Sequence, residues 1–266
     1  MRADSNRRFY ERSFIGARYA RQSELQPAEA AILDRLRDEL ADARILDLGV
    51  GGGRTTPHLL QLSRDYVGLD YSSQMIARCR KRFPNVDFKM GDARDLSAFP
   101  DESFNLVLFS YNGIDAASHA HRMEILAEVR RVLRPGGLFI FSSHNRNFQI
   151  PKPWDARHLA VNPLRHPLHF ARRVATMPVA IIHYLRNSQL PESNDEYCMA
   201  VDSAYLYSLR HYWITLAAQQ RQLERFGFRV IDFVGIDGRS LAIDESATLG
   251  DPWIQYVCRR GPLPNR

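Results

Sequence analysis

Apolar positions along the chain switch between helical and strand spacing in a regular alternation. From Pro27 the run PAEAAILDRLRDELADA sets Leu33, Leu36 and Leu40 on one face, which predicts an amphipathic helix ending near Ala43. The apolar stretch Ile45-Leu46-Asp47-Leu48 follows and stops at Gly49-Val50-Gly51-Gly52-Gly53, the pattern of a buried strand opening into a glycine loop. Thr55 or Thr56 then caps a helix starting at Pro57, where proline's fixed φ suits the first turn. Tyr66 to Leu69 reads as a second strand, and Ser72 as the cap of a helix with Met75, Ile76, Cys79 and Phe83 along one side. Val86 to Met90 predicts a third strand, FNLVLF (Phe104 to Phe109) a fourth and LFIF (Leu138 to Phe141) a fifth. The helix before the fifth, over Arg122 to Leu133, is ended by Pro135-Gly136-Gly137. Strands and helices alternating at this interval predict an α/β fold: a doubly wound, seven-stranded, mostly parallel sheet covered on both faces.

After Asn147 the rhythm breaks. Residues 148 to about 212 carry Pro151, Pro153, Pro163, Pro167, Pro178 and Pro191, clustered Arg and His, and helix-like apolar patches at Leu168 to Val174 and Val179 to Leu185. The alternation resumes with a helix ending at Phe226-Gly227, then Arg229 to Val234 and Ile254 to Cys258, two strands with no helix between them and so an antiparallel pair. The predicted organisation is a Rossmann-like core of residues 1–147 and 213–266, with 1–43 as an N-terminal helical lid and 148–212 as a mainly helical insertion after the fifth strand.

Composition narrows the class. A chain of 266 residues, 45% hydrophobic and 25% charged, is an ordinary globule. Its best apolar run, Met177 to Leu185, contains Pro178 and His183 and falls short of a membrane span. The opening MRADSNRRFYERS lacks the apolar stretch of a secretory signal, so a cytoplasmic location is expected. Cys79, Cys198 and Cys258 form no CxxC pair, which argues against a disulfide scaffold or zinc knuckle; no metal site is expected. The net charge of +6 is almost all arginine, since Lys81, Lys89 and Lys152 are the only lysines; it would attract phosphates, acidic lipids or an anionic substrate.

The glycine loop stands at the carboxyl end of the first strand, where a doubly wound sheet binds its ligand. A dinucleotide fingerprint counted from Gly49 and Gly51 requires glycine at position 54, which is Arg54, and no Lys-Ser or Lys-Thr pair makes a P-loop. Asp70 ends the second strand, where a carboxylate can accept both hydroxyls of a ribose, and Asp92 ends the third on the same rim. Each acid alone is an ordinary turn residue or helix cap. Three such features in order on one rim point to a bound nucleoside.

The segments ILDLGVGGGRTTPHL, YVGLDYSSQMI, MGDARDL, FNLVLFSYNGID and RVLRPGGLFIFSSHN resemble the successive motifs of class I S-adenosylmethionine-dependent methyltransferases, over about residues 40 to 147, with fainter similarity in LERFGFRV and IQYVCRR. The resemblance implies S-adenosyl-L-methionine as cofactor. By the same matching, Gly49, Gly51 and Gly53 pack beneath its methionine part, Asp47 helps the aminium group, Asp70 holds the ribose, and Asp92, followed by Ala93, meets the adenine amine. Tyr71 and Met75 line the adenine, and Ser110 faces the methionyl end. Phe9, Tyr10 and Tyr19 resemble the aromatic lid of many relatives. Ser110-Tyr111-Asn112-Gly113 is not the Asn/Asp-Pro-Pro-Tyr/Phe run of the family's DNA and protein-glutamine methylases, which disfavours that manner of amide or adenine-amine methylation.

The catalytic candidates are His144, which follows the fifth strand and points to the cleft mouth, and Tyr111, which follows the fourth. Each has a plain alternative, a loop histidine bonded to backbone and a turn residue beside Asn112-Gly113. His211-Tyr212-Trp213 and Tyr205-Leu206-Tyr207 read either as pocket wall or, more commonly at such spacing, as core. In the family, insertions after the fifth strand commonly form the substrate cap. The stretch Arg157 to Arg173, with Arg165, His166, His169 and Arg172, reads foremost as a helix packing apolar residues on the core and arginine on water; binding of an anionic or lipid-like substrate and peripheral membrane contact are the lesser readings. The favoured function is methyl transfer to an N or O atom of a small-molecule acceptor. The alternatives are an RNA methyltransferase, disfavoured because no RNA-binding module or basic tail is present, and a non-enzymatic S-adenosylmethionine-binding protein, which would predict erosion of the rim. Acceptor identity and oligomeric state stay open at the level of sequence.

Overall fold

The computed structural model describes residues 23–155, 165–188, 193–242 and 250–263. The aromatic residues of the expected N-terminal lid, Phe9, Tyr10 and Tyr19, and the start of the insertion at Arg157 lie outside the described residues. In chain order the elements are α1 (Pro27–Arg35), β1 (Ile45–Leu48), α2 (Thr56–Leu59), β2 (Tyr66–Asp70), α3 (Ser73–Arg82), β3 (Asp87–Met90), β4 (Phe104–Phe109), a 3-10 turn (Gly113–Ala116), α4 (His119–Val132) and β5 (Leu133–Asn145). Then follow α5 (Pro167–Asn187), β6 (Tyr197–Val201), a second 3-10 turn (Ala204–Tyr207), β7 (Arg210–Ile214), α6 (Leu216–Arg225), β8 (Phe228–Val234) and β9 (Trp253–Arg260).

Alternation along the strands divides the core between the sheet's two faces. Leu46, Leu48, Val107, Phe109, Phe139 and Phe141 pack on one face with α4, α6 and β8. Their neighbours in sequence, Ile45, Leu106, Leu108, Leu138 and Ile140, pack on the other with α1 and α3. Period-two spacing in a strand covered on both sides produces this division. Strands β3-β2-β1-β4-β5 are parallel, and β9 closes the far edge antiparallel to β5, with β8 antiparallel outside it. These seven strands are the expected sheet, including its closing antiparallel pair.

Three features depart from the expectation. First, α1 ends at Arg35, and the chain turns through Leu36 and Leu40 rather than continuing helical to Ala43; Asp42 is left-handed, with φ 56. Second, β5 begins at Leu133, because Leu133 already pairs with Phe104 and the Pro135-Gly136-Gly137 segment is carried inside the strand. Third, the insertion is not only helical. Besides α5 it contributes β6 and most of β7, an antiparallel hairpin that brings the sheet to nine strands among the described residues.

The hairpin's attachment positions the site. His144 pairs with Trp253 of β9 and also with Trp213 of β7, so the two strands lie on opposite edges of β5. Since β4 leaves β5 after Phe141, β7 takes over the vacated edge at His144 and Asn145. The hairpin therefore stands above the carboxyl end of β4, over the rim where the sequence motifs converge.

Candidate functional site

A cleft of about 480 Å³ opens on that rim. Its floor is the glycine loop. Gly49, Gly51 and Gly53 all have positive φ, a conformation that other residues adopt with strain. A Cβ on Gly49 would come within 2.8 Å of the Phe109 ring, whereas one on Gly51 would meet only Gly49 O, at 3.8 Å, so the backbone there borders open space. The loop is held by Asp70, whose carboxylate accepts the Gly51 N–H at 2.9 Å and the Ser72 N–H at 2.8 Å. Burial raises the Asp70 pKa, and these two bonds act against it. Ser72 caps α3 by accepting the Met75 N–H, as expected.

Asp47 lines the same cleft, and its Oδ2 accepts from Thr55 Oγ1 at 2.5 Å and Tyr66 O–H at 2.9 Å. Burial brings its pKa up to about 6 despite those bonds. Thr55 precedes α2 without capping it through its side chain: its backbone is already helical, with φ −78 and ψ −28, and its hydroxyl donates to Asp47. Arg54, which breaks the dinucleotide register, has a structural partner that the sequence did not announce. Its guanidinium makes a two-pronged bond to Glu29 of α1, at 2.5 and 2.7 Å, and donates to Ser110 Oγ at 2.7 Å; Ser110 in turn donates to Glu29. This buried ion pair ties the first helix to the glycine loop and to the end of β4.

Of the residues expected around a cofactor, Asp47, Gly49, Gly51, Asp70, Tyr71, Met75, Ala93 and Ser110 all line the cleft. Two do not. Gly53 faces Phe83 and Cys79, where a Cβ would come within 2.9 Å of the ring, so its role is packing of the loop on α3. Asp92 is turned to Arg94, which it meets at 2.7 and 3.0 Å, and its neighbours Gly91 and Ala93 form the wall instead. The donor set that lines the cleft nonetheless suits a nucleoside with an amino-acid tail: carboxylates at two strand ends, a glycine backbone open to close approach, and apolar side chains between them.

The opposite end of the cleft is built around His144. Its Nδ1 lies 2.7 Å from Asp115 Oδ2, and its backbone N–H donates to the same oxygen at 2.7 Å. Asp115, fully buried in the 3-10 turn after β4, also accepts from Arg122 Nη1 at 2.6 Å and Ser143 Oγ at 2.7 Å. Arg122 is itself fully buried, bonded to Gln219 and Gln222 of α6 and lying 4.7 Å over the Tyr212 ring. Burial alone would raise the Asp115 pKa; His144 and Arg122 more than offset it and hold the carboxylate below its usual range.

On its other side His144 faces the hairpin. Its Nε2 is 3.5 Å from Asp202 Oδ2 and 3.3 Å from Asn112 Nδ2, and His211 Nδ1 lies 3.3 Å from the same Asp202 oxygen. Burial disfavours the imidazolium, but the bonds to Asp115 and Asp202 overcome it and raise the His144 pKa to about 9. Asp202 is held correspondingly low by its two histidines, against the effect of burial. Tyr111 also lines the cleft. It and Asn112 are consecutive left-handed residues, φ 57 and 56, and the Arg54 guanidinium lies 5.1 Å over the Tyr111 ring. Strained non-glycine backbone of this kind clusters at functional sites. Sequence reasoning reached His144 and Tyr111 and missed Asp115, Asp202 and His211 as chemical groups, although NGID was noted within a motif and His211-Tyr212-Trp213 as pocket wall or core.

Residues 45–137 match the methyltransferase domain family. The chain is 38% identical over 127 residues to the fatty-acid O-methyltransferase of Mycolicibacterium smegmatis, covering 46% of this chain and 44% of that one. It is also 38% identical over 132 residues to a phthiotriol/phenolphthiotriol dimycocerosates methyltransferase of Mycobacterium tuberculosis, covering 48% and 46%. The chain thus spans less than half the length of these curated relatives. Among solved structures, an S-adenosylmethionine-dependent methyltransferase of Clostridium acetobutylicum superposes with a TM-score of 0.59 at 14% identity over 90% of this chain and 93% of that one. The 1,6-didemethyltoxoflavin-N1-methyltransferase of Burkholderia thailandensis, solved with 1,6-didemethyltoxoflavin and S-adenosylhomocysteine, superposes with a TM-score of 0.58 at 15% identity over 97% and 87%. The motif order, the rim geometry and these likenesses agree: residues 45–137 match the methyltransferase domain model, and the chain has the fold of the S-adenosylmethionine-dependent methyltransferases on which it superposes.

Proposed function

We propose that the protein is an S-adenosylmethionine-dependent methyltransferase acting on a hydroxyl of a small or lipid-like acceptor. The observation that carries this reading is the Asp115–His144 pair at the wall of a cleft whose other end suits the cofactor. When bound, the cofactor supplies a methyl group already activated by its sulfonium. Asp47, Gly49, Gly51 and Asp70 would hold its polar groups, with Tyr71, Met75 and Ala93 along the adenine. The protein's remaining task is to exclude water and to take the hydroxyl proton, and a buried His–Asp pair is built for the second. Asp115 fixes the imidazole with Nδ1 turned inward, so Nε2 is the atom that receives the proton. Tyr111, under Arg54, orients the acceptor.

Residues 148–212 supply the acceptor side of the cleft through Phe148, Ile150, Pro151, Asp202, Tyr205 and His211, and on this reading they form the cap. The names of the lipid-methylating relatives and of the toxoflavin-precursor enzyme support an acceptor of low molecular weight. Nucleic acid is not favoured: on the cleft wall Arg54 is paired with Glu29, and His144 with Asp115 and Asp202, rather than offered to phosphates.

One observation favours a second reading. With a pKa of about 9, His144 carries a proton at neutral pH and could hold an acceptor carboxylate, which needs no base. The two readings differ in sign. Transfer of labelled methyl to a panel of hydroxy and carboxylic acceptors, followed as kcat/KM against pH, rises towards about pH 9 if His144 is the base and falls through about pH 9 if it is a cationic anchor. A flat profile with the His144→Gln variant unimpaired would overturn both.

A further inference from the structure

The insertion helix was expected to turn its apolar residues to the core and its arginines to water. In the structure α5 does the reverse with its apolar row. Leu168 is 87% exposed, Leu185 62%, Ile182 47%, Val174 45% and Val179 44%. At helical spacing these five fall within an arc of roughly 140°, and exposed Ala171, Ala175 and Pro178 lie in the same arc. The packed side is the other one. Ala180 is buried, Tyr184 meets the Tyr207 ring edge-on, His183 Nδ1 lies 3.0 Å from Leu206 O, and Asn187 Nδ2 donates to Tyr207 O at 3.1 Å. The helix is anchored by that side to the Ala204–Tyr207 turn, and among the described residues nothing covers its apolar side.

We propose that this face of α5 docks the protein on an anionic lipid bilayer, with Leu168, Val174, Val179, Ile182 and Leu185 entering the interface and Arg172 and Arg186 meeting the headgroup phosphates. The charge pattern selects this occupant. No Asp or Glu occurs anywhere in Pro167–Asn187, and both arginines are exposed beside the apolar row. A second copy in an isologous contact would set these arginines against each other with no acid on the helix to pair them. A bilayer offers an apolar layer bordered by negative charge, and arginine can lay its stem on the first while reaching the second.

The location gives the contact a use. The turn that carries α5 contains three consecutive left-handed residues, Tyr205, Leu206 and Tyr207, with φ of 50, 55 and 60. Tyr205 lines the cleft, and Tyr207 donates its hydroxyl to the carbonyl of Pro151, also on the wall. A protein lying on its α5 face therefore holds the acceptor end of the cleft beside the bilayer, where an acceptor with an alkyl chain is dissolved. That consequence rests on the proposed function, whereas the docking itself does not.

The test is flotation of the full chain with vesicles of phosphatidylcholine alone, or with about 30% phosphatidylglycerol, at about 0.15 M salt. Wild-type protein is expected to float with the anionic vesicles and about tenfold less with the neutral ones. The variant Leu168→Glu/Ile182→Glu, and separately Arg172→Glu/Arg186→Glu, should each lose about tenfold or more in binding. Each should keep the wild-type melting temperature and cofactor affinity, since the side chains are exposed. Failure of the wild type to float with anionic vesicles would overturn the proposal. So would equal flotation of the Leu168→Glu/Ile182→Glu variant, which would reduce the effect to unspecific charge attraction. Self-association abolished by that variant, without vesicle binding, would assign the face to a second copy. Flotation is read without turnover, so its failure leaves the methyl-transfer reading intact, and an inactive enzyme leaves this one intact.

Discussion

The two ends of the cleft are constructed differently. The glycine-loop end is local: Asp70 reaches back 19 residues to Gly51, and Asp47 takes its bonds from Thr55, 8 residues on, and Tyr66, 19 on. Those bonds all close within β1, the glycine loop, α2 and β2, and Tyr71, Met75, Ala93 and Ser110 are added to the wall by the segments that follow. The His144 end is assembled from afar: Asp115 is 29 residues before His144, Arg122 bonds Gln222 across 100 residues, and Asp202 and His211 arrive on a hairpin from the insertion. A site gathered from the 3-10 turn, β5, α6 and the hairpin needs the whole tertiary structure, and each buried charge in it depends on the others.

That contrast can be broken most severely at Asp115. Asp115→Ala strands the fully buried Arg122 and is expected to cost about 3–5 kcal/mol in urea unfolding, with loss of turnover. If unfolding midpoints matched the wild type, the acceptor end would not be the interdependent network described. Next, His144→Gln should lower kcat about 10²- to 10⁴-fold while calorimetry shows cofactor affinity within about twofold of wild type. Equal loss of both would mean the two ends are not separable. The reciprocal change, Asp70→Ala, should weaken cofactor binding by about 1.5–3 kcal/mol, the worth of charge-assisted bonds, and calorimetry showing unaltered affinity would remove Asp70 from the ribose. Gly49→Ala combines a positive φ with a 2.8 Å approach to Phe109, and should cost about 1–3 kcal/mol of stability and loosen the cofactor with it.

The smallest effect concerns pH. Because His144 has a folded pKa of about 9 against an ordinary 6.5, its pairing contributes stability in full below about pH 6.5 and loses it as pH rises through about 9. Asp202→Asn removes one of the two carboxylates responsible, so the alkaline limb of stability, and whichever limb of kcat/KM reports His144, should move towards lower pH. A limb that stays in place would mean Asp115 alone holds the proton.

The same contrast explains what was legible. The strands through β4, the antiparallel closing pair, the glycine loop and Asp70 were readable because period-two strands, glycine turns and caps are short-range signals, whereas Asp47, Tyr71, Met75, Ala93 and Ser110, which also line the cleft, came from the resemblance to a family. Asp92 and Gly53 were placed on the rim from their positions in the motifs, yet Arg94 takes the first and Phe83 packs on the second; a side-chain partner two residues away, or on the next helix, leaves no mark on a strand-end pattern. Asp115 sits in a turn signal that reads as polar and exposed, and only the arrival of Arg122 and His144 in space makes it a buried carboxylate. The hairpin was unreadable for a related reason. Its strands are five residues each, and β6 follows a proline-rich stretch, so nothing local outweighs a loop reading.

The hairpin's mode of attachment bears on how such a protein diversifies. Seven register pairs bind β5 to β9 up to His144, but only His144 and Asn145 join it to β7. The chain leaves β5 after Asn145, contributes α5 and the edge strand β6, and rejoins β5 through β7, which continues into α6 through Thr215. On the proposed function, the segment between these two seams is separable from the cofactor floor: a chimera carrying another relative's segment there is expected to keep its S-adenosylmethionine affinity and to change its acceptor.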